Sequence, residues 1–146
     1  MTLQGKYRPL HPEKYRGDHG EIYYRSSWEL EFCRWCDGNK QILSWQSEEK
    51  RIPYYDPVAK KRRTYFPDFY VKYRRNDGVI VEELVEVKPA KEVKGPPQNP
   101  KKRTKSWAYS VKTYAVNQAK WKAAREFCED RKLEFKIMTE KELGIR

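Results

Sequence analysis

Asp68, preceded by Pro67, and the triplet Glu86-Val87-Lys88 that begins eighteen residues further on are the residues of this chain best suited to chemistry. Two carboxylates can hold a hard cation through oxygen ligands. A cation so held polarises a phosphate ester and acidifies a water molecule, and a nearby lysine can orient that water and balance charge. This is the minimum a magnesium-dependent nuclease needs. The bare pattern is common in charged sequences, and only its placement on secondary structure sets it apart.

Thr64 to Tyr73 (TYFPDFYVKY) is rich in aromatic and β-branched residues and predicts a strand. On it Asp68 shares a face with Phe66 and Tyr70. Val79 to Lys88 (VIVEELVEVK) predicts a second strand, with Leu84, Glu86 and Lys88 on one face and Val85 and Val87 on the other. Asn76-Asp77-Gly78 between them is a turn signal. If those three residues are the loop, Arg75 faces Val79 and Asp68 faces Glu86. A two-residue loop would shift the register by one and set Asp68 against a valine. The competing reading makes Glu86 and Lys88 solvated residues of a half-exposed hairpin.

Other charged residues could join this centre. A helix is predicted from Ser26 or Ser27, good N-cap residues, to Asp37-Gly38, with Trp28, Phe32, Trp35 and Cys36 as its apolar stripe. Glu29 lies beside that stripe and Glu31 opposite it. Glu29 either looks toward the domain or serves the helix dipole. Glu48 and Glu49 read as exposed strand charges, with the alternative that one faces the site. Asn117 and Lys120 border the apolar stripe of a later helix, where they either support the site or contact phosphate, or simply edge the stripe.

The chain has 146 residues, enough for one domain with a real core. Its mean hydropathy of −1.09 and 36% charged residues would fit disorder, but 14% aromatic residues and clear periodicities predict a folded domain. No apolar run is long enough to span a membrane and no signal-peptide hydrophobic region opens the chain, which predicts a cytoplasmic setting. The net charge of +11 and pI near 9.5 point to a polyanionic partner, most often nucleic acid. Lys60, Lys61, Arg62 and Arg63 precede the Asp68 strand; Lys91, Lys94, Lys101, Lys102, Arg103 and Lys105 follow Lys88. Lys61, Arg62, Arg63, Lys101, Lys102, Arg103, Lys105 and Lys120 are the candidate phosphate contacts. A solubilising surface is the alternative. Cys33, Cys36 and Cys128 fit a reducing compartment; a zinc site would want four ligands, and Cys33 and Cys36 fall beside core aromatics.

Residues 1–21 read as a basic, extended arm and 22–146 as the domain. Ile42 to Tyr55 predicts a strand with an irregularity at Glu48-Glu49. Pro89 to Ser106 holds four prolines and a glycine and predicts a mobile or DNA-contacting flap rather than a helix or central strand. A long helix from Trp107 to Arg131 carries Val111, Tyr114, Ala115, Gln118, Trp121, Ala124 and Cys128 at helical spacing. Leu133 to Met138 is the last strand, and Thr139-Glu140-Lys141-Glu142 is a capping box. The order α-β-β-β-α-β predicts an α/β fold with a restriction-endonuclease-like core, a mixed sheet flanked by helices on both faces.

Four stretches in this order carry a family resemblance: Tyr24-Arg25-Ser26-Ser27-Trp28-Glu29, Tyr65-Phe66-Pro67-Asp68-Phe69, Leu84-Val85-Glu86-Val87-Lys88-Pro89, and Thr113 to Trp121 (TYAVNQAKW), closed by Thr139 to Ile145. They resemble the PD-(D/E)xK nuclease superfamily, and more closely the head-completion nucleases of T-even-like bacteriophages. Transposon-end nucleases of the Tn seven type are more distant relatives. The resemblance implies that Asp68 and Glu86 bind metal, with the Val87 carbonyl and Glu29 as further ligands, and that Lys88 is the catalytic lysine. It implies Mg²⁺, with Mn²⁺ as a substitute. It implies a DNA endonuclease acting in the host cytoplasm or on the virion, in contact with head or portal proteins, as the DNA-filled head is completed. The alternative is a structural DNA-binding protein that keeps the fold and does not need to cleave. The intact set Glu29, Asp68, Glu86 and Lys88 favours the enzyme.

Overall fold

The computed structural model describes residues 4–144. Its centre is a four-stranded mixed sheet built from β3 (Ile42–Ser47), β6 (Phe69–Arg74), β7 (Ile80–Val87) and β8 (Glu134–Met138), in that spatial order. β3, β6 and β7 run antiparallel, and β8 lies parallel to β7. Parallel neighbours need a long crossover, and here α2 (Ala90–Lys94) and α3 (Lys105–Arg131) supply it. α1 (Ser27–Gly38) precedes the sheet and α4 (Glu140–Leu143) follows it.

The β6–β7 turn has the expected form. The Arg75 N–H donates to the Val79 carbonyl at 2.8 Å, and Gly78 takes the left-handed conformation at φ 88°. Phe69 accordingly pairs with Val85 and Arg74 with Ile80. Asp68 and Glu86 are therefore set opposite one another just past the last pair.

Alternation along the strands divides the core between two faces. Phe69, Val71 and Val85 face α1, whose Phe32, Cys33 and Cys36 close over them with Trp45 of β3. Tyr70 and Leu84 face α3 through Trp121, Ala124 and Cys128. The inner stripes differ slightly from the expected ones. Trp35 and Val111 are exposed, while Cys33 and Asn117 point inward. The cysteines are buried and free, and burial pushes the Cys33 thiol up to about 12.

Three sequence expectations are corrected. The predicted strands 64–73 and 42–55 are each broken in two. β4 (Ile52–Asp56) and β5 (Lys61–Tyr65) form a separate antiparallel hairpin that packs on α3, and Phe66, Pro67 and Asp68 link β5 to β6. Pro67 has no N–H for a ladder, and Pro53 is tolerated because β4 pairs on one edge only.

The proline-rich segment opens with one helical turn. α2 has Pro89 at its N-cap and stops at Gly95, which has φ 85° and leaves no room for a Cβ against the Tyr114 ring. Lys105, expected in the flap, begins α3 behind the Thr104 cap.

The described part of the arm does not extend into solvent. β1 (Gly5–Lys6) pairs with β2 (Tyr23–Tyr24), a short 3-10 turn covers Pro12–Lys14, and Tyr15 is buried against Trp45. Lys14 Nζ donates to the carbonyls of Cys36, Asp37 and Asn39 at 2.7, 3.0 and 2.8 Å, satisfying the open end of α1. The Asp37 carboxylate accepts from Tyr7 OH and from the Leu10 and His11 N–H groups. The capping box of Thr139 and Glu142 forms as expected. Met1 to Leu3 of the arm and Ile145 of the closing stretch lie outside the described residues. No helix among the described residues is long and apolar enough to cross a membrane.

Candidate active site

The register of two strand pairs makes a row of acids. β3 pairs with β6 through Ser47 and Phe69, and β6 with β7 through Phe69 and Val85. One step further along this end of the sheet lie Glu48, Asp68 and Glu86. The Glu48 N–H donates to the Asp68 carbonyl at 3.0 Å, and the Val87 N–H donates to Asp68 Oδ2 at 2.8 Å, fixing the carboxylate between its neighbours. Glu48 adopts a left-handed backbone at φ 54°, where the chain leaves β3. That conformation costs a non-glycine residue on the order of 1 kcal/mol.

Glu29 enters the row from the first turn of α1. The Ser26 cap fixes that turn by accepting the Glu29 N–H at 3.1 Å. Oxygens of Glu29, Glu48 and Asp68 then lie within 4.8 Å of one another. Glu86 approaches Asp68 but is held differently. Its Oε1 accepts the Tyr65 hydroxyl at 2.6 Å, and its Oε2 lies 3.7 Å from Lys88 Nζ. Tyr65 reaches this point because β5 ends there, before the Pro67 link.

Crowding sets the electrostatics. Burial, then the Glu86 and Glu29 charges, push the Asp68 carboxyl well above the usual carboxylate range, against the pull of the Val87 N–H and Lys88. Burial and then Glu48 raise Glu29. Burial raises Glu86 as well, opposed by the Tyr65 hydrogen bond, Lys88 and Lys120. Arg25 forms an ion pair with Glu48 at the exposed edge. The site thus holds more carboxylate charge than its own cations offset, which is the condition for taking a cation from solution.

The four residues singled out as catalytic, Glu29, Asp68, Glu86 and Lys88, fall in one place. Glu48 joins them, although its place in the sequence favours an exposed strand charge. The sequence marks only an irregularity at Glu48-Glu49; Glu48 stands beside Asp68 because β3 ends at Ser47. Of the candidate phosphate contacts, Lys120 comes closest to the site, with its ammonium 5.7 Å from the Tyr65 ring centre and 6.0 Å from that of Tyr54. Lys61, Arg62 and Arg63 stand exposed on β5, where Arg63 Nε pairs with Asp56 at 3.1 Å. Lys101, Lys102, Arg103 and Lys105 are exposed around the start of α3.

A mixed sheet with helices on both faces and this acid row at one end defines a restriction-endonuclease-like domain. The chain belongs to the TnsA-like endonuclease N terminal family, whose pattern matches residues 39–140. It is also 40% identical over 144 residues to the head completion nuclease of Enterobacteria phage T4, covering 96% of this chain and 93% of that protein. The family match contains Glu48, Asp68, Glu86 and Lys88, and the longer alignment extends the similarity over nearly the whole chain.

Proposed function

We propose that the chain is a Mg²⁺-dependent DNA endonuclease that hydrolyses phosphodiester bonds, with Glu29, Glu48, Asp68, Glu86 and Lys88 as its working residues. The observation that carries this reading is the meeting of the Glu29, Glu48 and Asp68 oxygens within 4.8 Å, beside the Glu86–Lys88 pair. The donor set is all hard oxygen, which suits Mg²⁺ or Mn²⁺ and not a soft metal. Glu29, Glu48 and Asp68, with Glu86 and the Val87 carbonyl beside them, would hold the ion. When bound it would supply charge against the scissile phosphate and favour ionisation of an attacking water.

The chain's own groups do the rest. Tyr65 occupies one oxygen of Glu86 and leaves the other toward Lys88. The Val87 N–H orients the Asp68 carboxylate. Lys88 can align the water and neutralise negative charge that develops on the phosphate. The basic residues of β5 and of the loop before α3 are exposed and suit backbone phosphates.

The similarity to the phage T4 protein supports a role in completing the phage head, in the host cytoplasm or on the virion, with DNA and head or portal proteins as partners. Nicking of supercoiled plasmid by the purified chain tests the activity. Conversion to open circles with Mg²⁺ or Mn²⁺ and none with EDTA is the expected result. Equal conversion in EDTA would remove the cation from the reaction.

A further inference from the structure

Beyond the acid row, one cleft of about 1000 Å³ lies between α2 with its following loop and the amino-terminal half of α3. We infer that this cleft binds an unpaired segment of DNA, with bases against Trp107, Tyr109 and Tyr114 and backbone phosphates against Lys91 and Lys94. The inference rests on the DNA-nuclease reading above and specifies the form of substrate that the site receives.

The cleft is pre-formed, although the sequence around it is rich in proline. Val93 packs against the α3 core cluster, and Gly95 sits on the Tyr114 ring. The Trp107 indole N–H donates to the Pro97 carbonyl at 2.8 Å and ties α3 to the loop. The Arg103 guanidinium lies 5.6 Å from the Trp107 ring centre. Tyr109 is 73% exposed, an unusual position for an aromatic ring with no core to serve.

Chemistry selects the occupant. Lys91 and Lys94 line the cleft, with Glu92 as the acid among them, and Lys101, Lys102 and Arg103 are exposed on the adjoining loop. Aromatic rings interleaved with cations match a nucleic-acid strand whose bases are free to stack. A duplex keeps its bases stacked inside and offers such rings no free base face.

Both walls of the cleft lead along the chain toward the acid row. α2 starts two residues after Lys88. The α3 wall runs from Trp107 to Asn117, about 15 Å at roughly 1.5 Å per residue. One turn beyond Asn117, Lys120 stands over Tyr65, which holds Glu86. A strand lying in the cleft would therefore pass toward the carboxylates.

Fluorescence anisotropy of the full chain in EDTA, with a labelled single-stranded oligothymidylate and a blunt duplex of equal length, tests this. Tyr109→Ala is expected to weaken single-strand binding roughly five- to a hundredfold, the range for removing one base–aromatic stack, and to leave duplex binding unchanged. Tyr109→Phe should retain single-strand binding. Equal weakening on both probes with Tyr109→Ala, or no weakening on either, would overturn the inference. Because cleavage plays no part in this measurement, absence of plasmid nicking would count against the nuclease reading alone. Normal nicking by a chain whose single-strand binding ignores Tyr109 would count against the cleft alone.

Discussion

Glu83 and Glu86 lie three residues apart on β7 and share local ingredients. Both are buried, and burial raises both carboxyls. Glu83 accepts a tyrosine hydroxyl, that of Tyr73 at 3.3 Å, and feels Lys136; Glu86 accepts that of Tyr65 at 2.6 Å and pairs with Lys88. Glu83 even borders a cavity of about 570 Å³ with Lys136. What differs is the company. The additional acid beside Glu83 is its exposed cross-strand neighbour, Glu134. Around Glu86, three other elements deliver Asp68, Glu48 and Glu29 to one point. A buried acid with a tyrosine and a lysine is ordinary structure; an excess of converging carboxylates is what marks the candidate site.

The sharpest way to break this contrast is to remove its centre. Asp68→Ala should lower Mg²⁺-dependent plasmid nicking by about 10³-fold or more if the proposed site is right, since the row would lose its central carboxylate. Lys88→Ala should follow with a loss of roughly 10²- to 10³-fold while duplex binding measured in EDTA is kept, because its charge acts mainly on the transition state. Lys136→Ala, at the Glu83 position, should leave the rate as it is. If Lys136 proved as costly as Lys88, the two ends of the hairpin would not differ in kind.

Glu29→Gln and Glu48→Gln should each cost about 10- to 100-fold in nicking rate, in the range of groups that support a metal site. Glu31→Gln on the opposite face of α1, where Glu31 pairs with exposed Arg34, should cost nothing measurable. Equal effects at Glu29 and Glu31 would return Glu29 to a helix-dipole role.

Stability offers a smaller contrast, between Asp68 and Asp37. Asp68 titrates above its unfolded value, so the protonated form is the one that the metal-free fold favours. Its contribution is present below the ordinary carboxylate range and is lost as pH rises through the raised value. Asp68→Asn should therefore raise the Tm of the metal-free chain at pH 7, by roughly 2–4 °C for each kcal/mol of repulsion relieved. Asp37 is the reverse case. Burial would raise its carboxyl, but hydrogen bonds from Tyr7, Leu10 and His11 prevail and hold it below the usual value. Its contribution is present above the ordinary range and lost as pH falls through the lowered value. Asp37→Asn should lower the Tm at pH 7, with the deficit shrinking in acid. Thermal melts across pH check both signs.

The same contrast separates what is legible in the sequence from what is hidden there. The Asp68–Glu86 pairing is legible because a three-residue turn with glycine in its left-handed position fixes a register, and the register fixes the face. Glu29 is legible as a position on a helix. Glu48 is not, because its role depends on the chain leaving β3 in a left-handed conformation, which no periodicity announces. The β4–β5 hairpin is hidden for a related reason: aromatic strand signals run on through Tyr65 and Phe66, and only packing on α3 separates β5 from β6. The arm reads as extended because Tyr7, Leu10, His11 and Lys14 have no periodicity. Their partners are Asp37 and the end of α1, more than twenty residues away.

A further, smaller effect concerns the basic cluster at the start of α3. Neutralising Lys101, Lys102, Arg103 and Lys105 should weaken duplex binding and flatten its salt dependence, by about 0.9 in the log–log slope for each DNA phosphate that these side chains neutralise. A salt titration followed by anisotropy measures this, and an unchanged slope would leave that cluster as a solubilising surface.

Glu86→Gln and Glu83→Gln, assayed side by side for initial rates of supercoiled plasmid nicking in Mg²⁺, test the central claim most directly. Each swaps a buried carboxylate for an isosteric amide on the same strand. If the converging carboxylates form the cleavage centre, Glu86→Gln loses nearly all activity and Glu83→Gln nicks at the wild-type rate. Comparable rates for the two variants, whether both active or both dead with folds intact, would contradict it.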